Sequence, residues 1–268
     1  MEKPSISIFG LGRVGGALNK ALIKAGYNIH SLFKRDSFPD SIEELGEVIF
    51  LAVQDGEIEI LSKRISSSFG TLEGRHVVHC SGALNSSVLE SLSKKGAGIA
   101  SFHPMKAVTF DDSSLDGVWF DMEGDSATLS VLEKLAKDLH AHSFVVKPDT
   151  KPLLHAAAVV SANYLVTLLK LATDIAKVGD VDEKTALKAL LPLSNSSLKN
   201  VEENGFDGSL TGPISRGDVE TIREHVKILK KDPELLSVYK KLGYLTLNLA
   251  ELDSDTIKEL KDLFRLDA

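Results

Sequence analysis

The sequence predicts an α/β chain in two parts, a doubly wound, mainly parallel sheet followed by an all-α second half. Three observations predict it. Short β-type runs alternate with amphipathic segments over the first 148 residues, a glycine-rich turn directly follows the first run, and no convincing strand pattern occurs after that point. Strands separated by helical or loop crossovers imply a mainly parallel sheet covered on both faces. Right-handed crossovers then give a Rossmann-type domain.

The elements follow in order. Ile6–Phe9 is the first strand, and helical spacing follows over Ala17–Lys24. Further strands are expected over Asn28–Phe33, Val48–Val53, His76–His79, Ile99–Phe102, Val118–Met122 and Ser143–Val146. Pro148-Asp149-Thr150 reads as a strand exit and helix cap, with Pro152 tolerated in a first turn. Residues 1–148 therefore form a dinucleotide-binding domain and 149–268 a helical one. The second opens on one long helix, Lys151–Val178, and continues with Asp182–Glu203, which Pro192 should kink or divide. An irregular loop is expected over Gly205–Gly217. Asp218 should cap a third helix, Asp232-Pro233 open a fourth, and Asp253 or Ser254 cap the last.

Composition narrows the function classes. Of 268 residues 43% are hydrophobic, enough for real cores. The net charge of −7, with 31 basic and 38 acidic residues spread along the chain, offers no basic stripe for nucleic acid or a membrane surface. The single cysteine, Cys80, cannot form an intrachain disulfide, which fits a reducing, cytoplasmic setting, and no secretory leader is read at the N-terminus. The apolar stretch His155–Leu171 is interrupted by Ser161, Asn163, Thr167 and Lys170, as expected of a buried helix rather than a membrane span. Such a helix must be enclosed, by the later helices or by a second subunit; a homodimer through the helical domain is expected.

The chemistry starts at Gly10-Leu11-Gly12-Arg13-Val14-Gly15, a G-x-G-x-x-G between a strand and a helix. Its glycines permit a tight turn, backbone approach to a pyrophosphate and close helix–strand packing, with the diphosphate against free N–H groups. At the end of the second strand an acid would bind ribose hydroxyls, but this chain has Lys34 and Arg35. Basic groups there suit a 2′-phosphate, so NADP(H) is expected rather than NAD.

Ligands in such sheets lie beyond the carboxyl ends of the strands. Those ends supply Ala52 and Val53, then Ser81 and Gly82 behind His79 and Cys80, and then His103. Cys80 reads as a small buried residue rather than a nucleophile. Lys151 and His155 are four apart on one face of the long helix, with Asn163 two turns on. Lys151 or His155 is expected to handle the proton or polarise the substrate, Asn163 to orient it, and His103 to line the nicotinamide side. In the loop Leu210–Asp218, Arg216 and Thr211 are candidates for holding a substrate, while Asp218 serves as a cap and His225 as a structural residue. His140 and His142 have no further ligand at useful spacing, so no metal site is expected.

These segments together resemble a family. Phe9–Leu18, His79–Leu84, Ser101–Met105, His155–Leu165, Leu190–Leu193 and Leu210–Asp218 are similar to an uncharacterised bacterial family of Rossmann-like oxidoreductases with a helical C-terminal domain of unknown function. The layout is similar to pyrroline-5-carboxylate reductase, ketopantoate reductase and the deazaflavin-dependent NADP reductases, and His-Pro-Met resembles part of prephenate dehydrogenases. The resemblance implies NADP binding, a helical dimerising domain and a cleft between domains. The expected function is an NADP(H)-dependent oxidoreductase acting there on a small polar metabolite. The alternatives are a non-catalytic NADP(H)-binding sensor or scaffold and an NAD-dependent dehydrogenase.

Overall fold

The computed structural model describes residues 3–265. It contains a seven-stranded sheet in the order β2-β1-β3-β4-β5-β6-β7. The strands are β1 (Ile6–Phe9), β2 (Ile29–Phe33), β3 (Val48–Leu51), β4 (His76–His79), β5 (Gly98–Pro104), β6 (Trp119–Gly124) and β7 (His142–Val145). The first five pair in parallel, β6 runs antiparallel to β5, and β7 is parallel to β6. Strand order reverses between β1 and β3, which opens the crevice where ligands of such sheets bind.

Helices α1 (Arg13–Lys24), α2 (Asp55–Ser68), α3 (Glu90–Ser93) and α4 (Ser126–Asp138) cover the sheet. Near-continuous apolar strands such as Val48–Leu51 are buried throughout because both faces are covered. One face buries Ile6, Ile8, Phe50, Phe102 and Phe120 with Leu18 and Leu22 of α1 and Leu132 and Leu135 of α4. The other buries Ile49, Leu51 and Val77 with Ile58 and Ile65 of α2 and Leu92 of α3.

Several strand ends differ from expectation, two of them near the crevice. The β3 strand stops at Leu51 rather than Val53. More consequentially, β5 continues past Phe102 to Pro104, because antiparallel β6 offers pairing partners there, His103 opposite Asp121 and Pro104 opposite Phe120.

The helical part begins at α5 (Lys151–Val178), entered through a short 3-10 turn, Pro148–Thr150. It continues with α6 (Glu183–Asn204), α7 (Val219–Leu229), α8 (Pro233–Thr246) and α9 (Ser254–Phe264). The caps expected at Asp218, Asp232 and Asp253 are in place, and Asp182 caps α6 as well. Asp182, Asp218, Asp232 and Asp253 each accept a bond from the backbone N–H three residues on. Pro192 does not divide α6, which runs unbroken; the proline forfeits one backbone bond and the regular turns either side carry the helix across. Ile222, Val226, Leu247, Leu260 and Phe264 form a core of their own.

The chain separates into two compact units, Met1–Ala162 and Asn163–Ala268, dividing within α5. The stretch Pro148–Val178 is long and apolar enough to cross a membrane by length and composition alone, and none of its most apolar window is buried. A helix enclosed within its own chain is therefore corrected. Leu153, Val160, Tyr164 and Leu168 are all exposed.

Candidate active site

Two glycines of the turn are fixed by local geometry. Gly10 adopts φ +90°, which disfavours any side chain, and a Cβ there would lie 2.5 Å from the Ala52 carbonyl oxygen. A Cβ on Gly15 would lie 1.9 Å from the Gly10 carbonyl, so α1 can start this close to β1 only on a glycine. Gly12 is different, because a Cβ there would meet nothing within 4 Å. Gly12 and Arg13 are exposed, and the start of α1 has no side-chain cap. Open space over bare N–H groups fits a dinucleotide diphosphate. Leu11 and Val14 pack against the core beneath, while Ala52 and Val53 form the floor under Gly10.

The end of β2 is tied to this turn, as the Gly10 N–H donates to the Phe33 carbonyl at 2.9 Å. Lys34 and Arg35 follow directly and are exposed, in a turn closed by the Ser37 hydroxyl accepting from the Lys34 N–H at 2.6 Å. The two basic residues thus stand beside the glycine turn, where a 2′-phosphate would be met.

Beyond β4 the chain is held by its own polar side chains. His79 is fully buried; its Nδ1 accepts from the Ser81 N–H at 3.2 Å, and Nε2 bonds the Asn85 carbonyl at 3.2 Å. Burial lowers its pKa to about 4, keeping it neutral. The Ser81 hydroxyl accepts from the Ala83 and Leu84 N–H groups. Buried Glu123 on β6 accepts from the Ser86 backbone N–H at 2.6 Å and from its hydroxyl at 2.8 Å. Gly82, between these anchors, is fixed against the sheet. Cys80 is buried, which pushes its thiol up to about 12 and leaves it unreactive.

Two imidazoles converge on Gly82. A Cβ there would lie 2.7 Å from both His103 Cε1 and His155 Nδ1, and 2.8 Å from His103 Nε2. The two rings are 6.0 Å apart between centroids and nearly perpendicular. His103 arrives from β5 and His155 from the second turn of α5. His103 Nδ1 bonds Asp121 Oδ2 at 2.6 Å, the cross-strand neighbour set by the β5–β6 register. Asp121 Oδ1 accepts from the ammonium of Lys151, which is fully buried at the start of α5. Burial pushes the Asp121 carboxyl up, but the bonds from His103 and Lys151 and their charges outweigh it and hold it below the usual range. His155 Nδ1 is buried without a hydrogen-bond partner among the described residues.

The first unit therefore brings together Gly82, His103, Lys151 and His155. Lys151 is turned into Asp121 and away from solvent. Asp121, the residue that joins His103 to Lys151, was not among the sequence candidates, and its signal was an acid inside the apolar run Trp119–Gly124. Asn163, Thr211 and Arg216 lie in the second unit and are exposed. Asp218 is a helix cap, as read from sequence, and His225 bonds the Tyr239 hydroxyl at 2.8 Å, in keeping with a structural role. No cluster of three metal-ligating side chains occurs among the described residues.

Residues 2–104 match the Rossmann-like domain family, and residues 118–246 match DUF2520, a domain of unknown function. The two matches follow one another along the chain, and the second begins within the sheet, just before β6. The site draws on both, with Gly82 and His103 in the first match and Asp121, Lys151 and His155 in the second. No curated protein matches the sequence. Among solved structures, a protein from Bacteroides fragilis provisionally assigned as an NADP oxidoreductase is 20% identical, with TM-score 0.72 over 92% of this chain and 98% of its own. Protein TM1727 from Thermotoga maritima is 25% identical, with TM-score 0.70 over 91% and 98%. A reductive aminase from Aspergillus terreus, solved with NADPH and ethyl-5-oxohexanoate, is 16% identical, with TM-score 0.64 over 98% and 100%. The first and third likenesses speak to the fold alone.

Proposed function

We propose that this chain is a cytoplasmic NADP(H)-dependent oxidoreductase acting on a small polar metabolite. The observation that carries the reading is the convergence of His103 and His155 on Gly82, in the same unit as an open glycine turn at a helix start. The solved relatives named for NADP or holding NADPH support the cofactor, as do the exposed Lys34 and Arg35. A nicotinamide dinucleotide, when bound, supplies or accepts a hydride. In this reading Gly10, Gly12 and Gly15 receive its diphosphate, Lys34 and Arg35 its 2′-phosphate, and Ser81 and Gly82 lie towards the nicotinamide.

The chain's own part is the proton. Asp121 takes the N–H of His103 Nδ1 and so turns Nε2 towards Gly82 as the group that gives or takes a proton. His155 offers its unpartnered Nδ1 beside it. Lys151 keeps Asp121 ionised rather than acting on substrate, because it is wholly buried. Asn163, Thr211 and Arg216 are assigned to substrate orientation and anion binding. The same reading pairs two chains through the exposed apolar side of α5.

The test combines a metabolite screen for NADP(H) turnover with the His155→Ala variant. Turnover is expected to fall about 100-fold or more, as for loss of an acid–base group, with NADPH affinity within about twofold of wild type. Unchanged turnover would remove His155 from the chemistry.

A further inference from the structure

Two imidazoles meet at Gly82, and one of them is joined through the Asp121 carboxylate to the Lys151 ammonium. Asp121 is 1% exposed and both oxygens are engaged, Oδ1 by Lys151 and Oδ2 by His103. The Lys151 ammonium is buried, and its charge is felt at His79 and Cys80 on the neighbouring end of β4. Asp55, at the start of α2, is felt at His79. Among the described residues, the acid bonded to this pair therefore has no free oxygen.

A protonated imine or amine placed here would bring positive charge into a partly desolvated site containing a buried ammonium, where both oxygens of Asp121 are already engaged. An oxygen meets the opposite situation. His103 Nε2 is left available by the Nδ1–Asp121 bond, and His155 Nδ1 has no partner. Both ring nitrogens approach Gly82, and donors aimed at an oxygen that gains negative charge stabilise it.

We infer that the proposed reaction occurs at a carbon–oxygen bond, with the substrate's carbonyl or hydroxyl oxygen, not a protonated nitrogen, set against His103 Nε2 and His155 Nδ1. The inference rests on the oxidoreductase reading and names its substrate class. In reduction the carbonyl carbon receives a hydride from a reduced nicotinamide, and the π electrons pass to oxygen. That oxygen takes the proton of imidazolium His103, which is left neutral. In oxidation neutral His103 takes the hydroxyl proton as the carbon loses its hydride to an oxidised nicotinamide. An imidazole suits both directions because the same ring nitrogen can give or take the proton. Hydride addition to an iminium needs no proton at nitrogen, so the paired imidazoles would have no task there. The reductive aminase shares the fold, and fold does not fix substrate chemistry.

The full chain saturated with NADP+ is titrated at pH 7 with acetone, propan-2-ol and propan-2-amine, three probes alike in size and unlike in polar group. The ring resonances of His103 and His155 are followed by NMR and assigned with the His103→Gln and His155→Gln variants. Acetone and propan-2-ol are expected to shift both rings, at concentrations at least tenfold below any effect of the amine. An amine response as strong as theirs overturns the inference, as does silence towards all three. Dinucleotide binding is measured separately by equilibrium dialysis. Failure there defeats the oxidoreductase reading, whereas failure of probe discrimination alone defeats only the choice of oxygen.

Discussion

At the scale of single residues, His79 shows how burial is used to shape the site. Its ring must stay neutral, because Nδ1 accepts from the Ser81 N–H while Nε2 bonds the Asn85 carbonyl. Burial lowers its pKa from 6.5 to about 4 in the fold. The unfolded chain therefore binds a proton that the folded one refuses. Its contribution to stability is complete above pH 6.5 and is lost as pH falls towards 4. A shift of that size corresponds to roughly 3 kcal/mol. Thermal melts between pH 7 and pH 4.5 should show wild type losing stability steadily, with a flatter profile for His79→Gln, whose amide can still donate and accept. Identical slopes would mean that His79 is not the group being titrated. The role of His79 was not legible from its strand position alone. Its partners come from the turn beyond β4, and a strand-ending histidine reads the same with or without them.

At the scale of elements, the site depends on one register. Antiparallel β6 places Asp121 opposite His103, and Lys151 at the start of α5 closes the set. Removing one member of a buried ion pair strands the other. Asp121→Asn should therefore cost about 3–5 kcal/mol in chemical denaturation. Combining it with Lys151→Met should recover most of that loss, since neither charge then remains buried. Simple addition of the two single losses would contradict the pairing. Most elements were legible beforehand. The strands announced themselves as apolar runs, and Asp218, Asp232 and Asp253 marked helix starts through their capping chemistry. The extension of β5 to Pro104 was hidden, because it depends on an antiparallel partner whose direction the local sequence does not encode. Asp121 was overlooked for the same reason, although an acid between Phe120 and Met122 asks for a buried partner.

At the scale of the whole molecule, α5 carries the unresolved tension between composition and exposure. Leu153, Val160, Tyr164 and Leu168 recur at helical spacing along one side, and Leu153 and Val160 are 73% and 57% exposed. The proposed pairing of two chains removes that surface from water. Sedimentation of the Tyr164→Glu, Leu168→Glu variant should give half the wild-type mass, and an unchanged mass would place the contact elsewhere. The proposed function requires a dinucleotide held by the glycine turn and selected by the basic end of β2. Titration calorimetry of the full chain with NADPH and NADH, repeated on Arg35→Ala, tests this most directly. NADPH should bind more tightly than NADH, and the variant should lose at least tenfold for NADPH with little change for NADH. Equal losses for the two nucleotides, or no binding of either to the wild type, would contradict it.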